Sequence, residues 1–278
     1  MSDRVRTVVV ATLAVLAVLT AVAGMGGIAV FALWATQQTN SSPPPEPHVE
    51  APARSTDAVD VVGYVPWDRN PDGTSVRWDP CEPIVLVVNP AGGPDGWLER
   101  FDEAIDVLRD HGVDLVIEGH VDERPDAERR AHQPDRYGHR WAPVLVAWST
   151  PGESGLGLRA TDRALAVPIA VGTSRQRNLV TAQVVFNADR TRDPHALQLD
   201  GNDREDGWVA VFVHELLHVV GLDHVDDPAQ LMHHAPGAGP VELGDGDLAG
   251  LRTLTSGGCV PAPTPGPVEI SRDEPVRR

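Results

Sequence analysis

The chain has 278 residues, 41% of them hydrophobic, and its 40 acidic against 23 basic residues give a formal net charge of −17. That is enough for one good-sized core or two small ones. The acidic balance excludes a nucleic-acid partner, because phosphate binding is driven by clustered Lys and Arg, and this chain has no lysine and no basic cluster.

From Val8 to Thr36 the chain carries no charge and is dominated by Val, Ala, Leu and Ile. A bilayer-spanning helix needs about 20 such residues. A cleaved signal peptide with "AVA" at 21–23 competes with an uncleaved anchor, and the continuation of the run through "GIAVFALWAT" favours the anchor. Arg4 and Arg6 precede the run, so the positive-inside rule predicts a short cytoplasmic end and a signal-anchor helix over 1–36. On this reading the chain is a single-pass cell-membrane protein with its bulk outside, and it is secreted if cleaved near Ala23.

Residues 37–57 are rich in Pro and Ser, and an extended linker is expected over 37–75. The folded domain is expected over 76–260, followed by a disordered Pro-rich tail at 261–278. The two cysteines, Cys81 and Cys259, stand almost at the ends of that domain. In an oxidising compartment such a pair most simply forms one disulfide. The rival role, Cys81 as a thiolate blocking a metal, would leave Cys259 unpaired.

In chain order, "PIVLVVNP" at 83–90 predicts a strand and "DGWLERFDEAIDVLRDHG" at 95–112 a helix, with Asp95 as N-cap and Gly112 past its end. Strands are expected at 113–119 and 142–149. Another at 164–172 contains Pro168, which suits a sheet edge, and a fifth lies at 181–189. The apolar pattern around "WVAVFVHELLHVVG" predicts a helix capped near Asp206.

That helix carries the chemistry. His214 and His218, four residues apart, share one helix face and can converge on one ion. A catalytic zinc takes three protein ligands and keeps an open position for water. Gly221 can adopt the left-handed conformation that ends a helix and turns the chain, so His224 can swing back as third ligand. Glu215 then points past the ion toward the open position, where a general base is needed.

The pattern HExxHxxGxxH, read here as "HELLHVVGLDH" at 214–224, resembles the metzincin zinc signature, and the chain looks like a matrixin-type metzincin. Met232, eight residues after His224, stands where the family has its Met-turn, and "LGDGDLAGLRTL" at 243–254 is similar to its final helix, with Asp245 and Asp247 opening it and Leu248, Leu251 and Leu254 turned inward. The resemblance implies an α+β domain with a twisted, mixed five-stranded sheet, an upper helix, a zinc-binding helix, the Met-turn and a C-terminal helix. It further implies one catalytic Zn2+, a protein or peptide substrate and zinc endopeptidase activity, which the N-terminal helix expected from the apolar run would anchor to the membrane.

Matrixins usually have glycine where Leu217 stands, serine where Val225 stands, and Tyr-Pro where His233 and His234 follow the methionine. Ligands for the family's further zinc or Ca2+ are not evident. Asp135 and His139 share a loop, and 189–206 is acidic, but a solvated loop is the preferred account of both. The alternative function is a catalytically idle, zinc-stabilised module binding peptides or envelope material. Retention of Glu215 favours the enzyme, since a structural site needs ligands but no base.

Overall fold

Apolar runs too short for a helix and rich in Val, Ile and Leu pack as strands, and two longer apolar segments lie across them as helices. The computed structural model describes residues 63–192, 206–234 and 242–267. In chain order the elements are β1 (Val65–Pro66), β2 (Ile84–Val88), α1 (Trp97–Asp110), β3 (Leu115–His120), α2 (Pro134–Tyr137), β4 (Val144–Ser149), β5 (Ala164–Gly172) and β6 (Arg177–Asn187). There follow α3 (Asp189–Arg192), α4 (Asp206–Val220), β7 (Leu222–Asp223) and α5 (Asp245–Thr255).

Five strands form one sheet in the order β3-β2-β4-β6-β5. The first four are parallel, and β5 joins β6 antiparallel at the edge. The fold is therefore α+β with a mixed five-stranded sheet, as expected. Strand alternation separates two faces. Leu86, Val88, Val146, Val184 and Phe186 face the main core with α1 and α4, whereas Val87, Leu145 and Ala147 form a smaller cluster on the opposite side with Val121 and Tyr137.

Several boundaries differ from the sequence reading. Asp95 is not the N-cap of α1; that place belongs to Gly96 at φ 79°, a left-handed conformation glycine adopts without penalty. Residues 65–66, inside the expected linker, pair as β1 with β7. Beyond Cys259, the Val260 carbonyl accepts from Asn178 and the Pro263 carbonyl from Trp141, so the start of the expected tail lies on the domain. Cys81 and Cys259 form the disulfide, closing a loop with a sequence separation of 178.

The single-pass membrane localisation is corrected. Among the described residues no helix is long and apolar enough to cross a membrane, and the run at 8–36 that suggested one lies outside them. The longest described helix, α4, has 15 residues, short of the roughly 20 a bilayer requires, and it buries its apolar surface in the core.

The loop between β3 and β4 is built around an ion pair. Arg129 Nε donates to Glu123 Oε1 at 3.0 Å and its Nη2 donates to Glu123 Oε2 at 3.3 Å. Gln133 and Tyr137 also donate to Glu123, at 2.8 and 2.5 Å, while Arg129 donates onward to Thr181 Oγ1 and the Pro143 carbonyl. Burial works to raise the Glu123 pKa, but Arg129, Tyr137 and Gln133 together carry it below the ordinary range. This stabilisation is present above the unfolded pKa of about 4.3 and lost as pH falls through the lower folded value. Glu123→Leu leaves the Arg129 guanidinium buried without a counter-charge, and a loss of about 3–5 kcal/mol is expected in urea unfolding at neutral pH. The gap between variant and parent should narrow in acid.

Candidate metal centre

Helix α4 is apolar around its whole circumference, and every residue from Val209 to Val220 is buried. His214, Glu215 and His218 are its buried polar members, at 4%, 7% and 8% exposure. Gly221 ends the helix at φ 117°, and its N–H bonds to the carbonyls of Leu217 and His218. A Cβ there would stand 3.1 Å from Leu179 Cδ1, so close packing as well as conformation calls for glycine. The turn leads into β7 and directly to His224, which the structure brings back onto the face of His214 and His218.

The three Nε2 atoms converge. His224 Nε2 lies 3.0 Å from His214 Nε2 and 3.2 Å from His218 Nε2. On the far side of the rings, His214 Nδ1 is 2.8 Å from the Leu231 carbonyl and His218 Nδ1 is 2.8 Å from the Leu222 carbonyl. A carbonyl only accepts, so both Nδ1 atoms carry the hydrogen and both Nε2 atoms present lone pairs. His224 Nε2 carries at most one hydrogen and can donate to only one of them, whereas a single cation satisfies all three nitrogens. Ligands about 2.0–2.1 Å from a tetrahedral zinc stand about 3.3–3.4 Å apart, so the observed spacing fits zinc with a small parting of the rings. Burial holds His214 well below the ordinary imidazole pKa and His218 down to about 3, which keeps both neutral, the form that ligates.

Glu215 is outside this ligand set. Burial is the main cause that pushes its pKa up to about 8, Asp162 adds to the rise, and the Ala166 N–H, donating to the carboxylate, opposes it. Among the described residues its buried Oε2 has no hydrogen-bond partner. Ala166 belongs to β5. The Arg163 carbonyl accepts from Asn187 N–H, so backbone groups of 163, 165 and 167 face β6 while those of 164, 166 and 168 face outward. Pro168 accordingly costs no ladder bond, and the outward N–H of Ala166 meets Glu215 at the outer edge of the sheet.

Met232, expected at a Met-turn, is 1% exposed and packed in the main core, and its carbonyl accepts from Val225 N–H. The sequence reading missed what holds this turn. Asp247, 1% exposed in the first turn of α5, accepts from the N–H groups of Leu231 at 2.6 Å, Met232 at 3.2 Å and Gly244 at 2.9 Å. Burial raises its pKa and those three N–H groups oppose the rise. Since the Leu231 carbonyl in turn orients His214, Asp247 supports the ligand through one peptide unit. An acid three residues after Gly244 is the available sequence signal, half of a capping box. Leu248, expected to turn inward, is only partly buried.

Asp135 and His139 are exposed and join no group of three converging ligands among the described residues. The other such group, Asp79 with Cys81 and Cys259, contains the disulfide, whose sulfurs are committed to each other. His233 and His234 stack at 4.1 Å between ring centroids, just beyond Met232.

No protein-family model and no curated sequence matches the chain. Among solved structures it is similar to archaemetzincin from Methanopyrus kandleri, with 14% identity and a TM-score of 0.38, over 62% of this chain and 95% of that one.

Removing the Asp247 carboxylate should loosen the turn and through it His214. Asp247→Ala is expected to weaken zinc binding by about 10–100-fold in competition with a chromophoric chelator, with Asp247→Asn between variant and parent.

Proposed function

We propose that the chain is a zinc-dependent endopeptidase of the metzincin class acting on protein or peptide substrates. One observation carries this reading: three imidazole nitrogens converge beside a buried carboxylate that is not among them, at the outer edge of β5. His214, His218 and His224 would hold one zinc through Nε2. Zinc bound there supplies Lewis acidity toward a carbonyl oxygen and lowers the pKa of water toward neutrality.

The remaining steps belong to the chain's own residues. Glu215 takes a proton from the attacking water and delivers it to the leaving amine. The Ala166 N–H holds one oxygen of that carboxylate, leaving Oε2 for the proton. An extended substrate adds to β5 through main-chain hydrogen bonds, with side-chain pockets setting preference. Gly221 and Met232 fit the metzincin pattern in general, while Leu217, Val225, His233 and His234 depart from what matrixins usually have.

The purified full chain is expected to contain about one tightly held zinc by elemental analysis, and His218→Ala to release it. Glu215→Gln should retain the metal and the parent's thermal midpoint while losing about 10²–10⁴-fold in kcat on a quenched-fluorescence peptide library. A Glu215→Gln protein as active as its parent would refute the assigned base, and folded protein without zinc would refute the metal site.

A further inference from the structure

Two arginines lie near one another at the start of the β5 edge. Arg163 directly precedes the strand, and Arg190 lies in α3, just after the strand that pairs with it. The Arg190 Nη2 donates to the Thr161 carbonyl at 2.6 Å, but among the described residues its buried Nε has no hydrogen-bond partner. Among the described residues, neither arginine takes part in a salt bridge. Burial, and then the like charge of Arg190, hold Arg163 below the ordinary guanidinium pKa. Two partly desolvated guanidinium groups beside each other are costly unless an anion lies between them, and a carboxylate matches their planar donor forks.

Their position relative to the metal centre says which anion. Arg163 is three residues before Ala166, the residue that meets Glu215, and three residues of strand span about 10 Å. Along the outward edge, Ala164 offers both N–H and carbonyl, whereas Pro168 offers no N–H and the register breaks between Ile169 and Ala170. With the Ala166 N–H held by Glu215, the edge residue able to hold a peptide through both donor and acceptor is Ala164, on the Arg163 side of Ala166. Antiparallel pairing, the more stable arrangement, sends residues after the scissile bond in that direction.

We propose that Arg163 and Arg190 form a carboxylate-binding subsite that holds an acidic group of the substrate two to four residues on the carboxyl side of the scissile bond. The inference rests on the peptidase reading. The carboxylate is either an Asp or Glu side chain or the free carboxyl end of a short peptide, and both present the same planar pair of oxygens.

The test uses the full chain and peptides differing only in the third residue after the cleaved bond or in the terminus: Glu with an amidated end, Gln with an amidated end, and Gln with a free carboxyl end. The ratio of kcat/KM between each acidic peptide and the neutral one is expected to be about tenfold or more for the parent and to fall close to one for Arg163→Gln or Arg190→Gln. Whichever acidic peptide shows the larger ratio identifies the source of the carboxylate. Arg163→Lys, which keeps charge but not the fork, should retain part of the preference if its fold is intact by circular dichroism. Fluorescence anisotropy of the same peptides on the Glu215→Gln protein separates this inference from the peptidase reading. Binding that favours acid and depends on Arg163, without cleavage by the parent, would support the subsite and refute the peptidase. A parent that binds and cleaves acidic and neutral peptides equally, or variants that keep the preference, would overturn the proposal.

Discussion

Two hydrogen bonds decide the chemistry available to the triad: His214 Nδ1–H to the Leu231 carbonyl and His218 Nδ1–H to the Leu222 carbonyl. Each fixes a tautomer, and with it the direction of a lone pair. Neither carbonyl belongs to the regular part of α4, so a perfectly formed helix would not by itself make a ligand set. The rest of the domain holds those two peptide units still. Gly221 redirects the chain so that Leu222 can fold back under His218, and Asp247 grips Leu231 from the other side.

Among the described residues, the opposite face of the sheet is covered without any group of converging metal ligands. A long connection between β3 and β4 has a backbone that must find partners, and a bound cation is one means of ordering it. This loop uses the Glu123 carboxylate, which gathers Arg129, Gln133 and Tyr137, while Arg129 reaches Thr181 on β6 and the carbonyl of Pro143. The polar groups of the cluster satisfy one another, which is the condition under which a buried ion pair is tolerated.

Much of this was legible in the residues. Continuous apolar runs gave all five strands of the sheet, Pro168 marked the edge strand, and the even cysteine count anticipated the disulfide. The spacing of His214, His218, Gly221 and His224 anticipated their convergence because it encodes a helix, its end and a reversal. What escaped depends on tertiary position. β1 and β7 have two residues each, too few for any periodicity. Asp247 has the look of a first-turn acid favoured by the helix dipole, and only its burial against Leu231 and Met232 reveals an acceptor for three backbone donors. Arg163 and Arg190 are 27 positions apart and come near one another because the antiparallel register of β5 and β6 returns the chain to its starting point.

The pairing of β1 with β7 joins the chain's entry to the metal centre. Val65 and Pro66 lie opposite Asp223 and Leu222, and the Trp67 N–H bonds to the Gly221 carbonyl at 2.7 Å. The peptide group that orients His218 is thus held in register by the first strand of the described domain. A mechanical pull on the polypeptide ahead of residue 65 would load this two-residue ladder before it loaded the five-stranded sheet, and peeling it away would take the backbone partners from Gly221 and Leu222 while the Leu222 side chain stays in the core. Strand β1 would then act as a tension element for the His218 imidazole, and loss of the histidine convergence would precede loss of the five-stranded sheet.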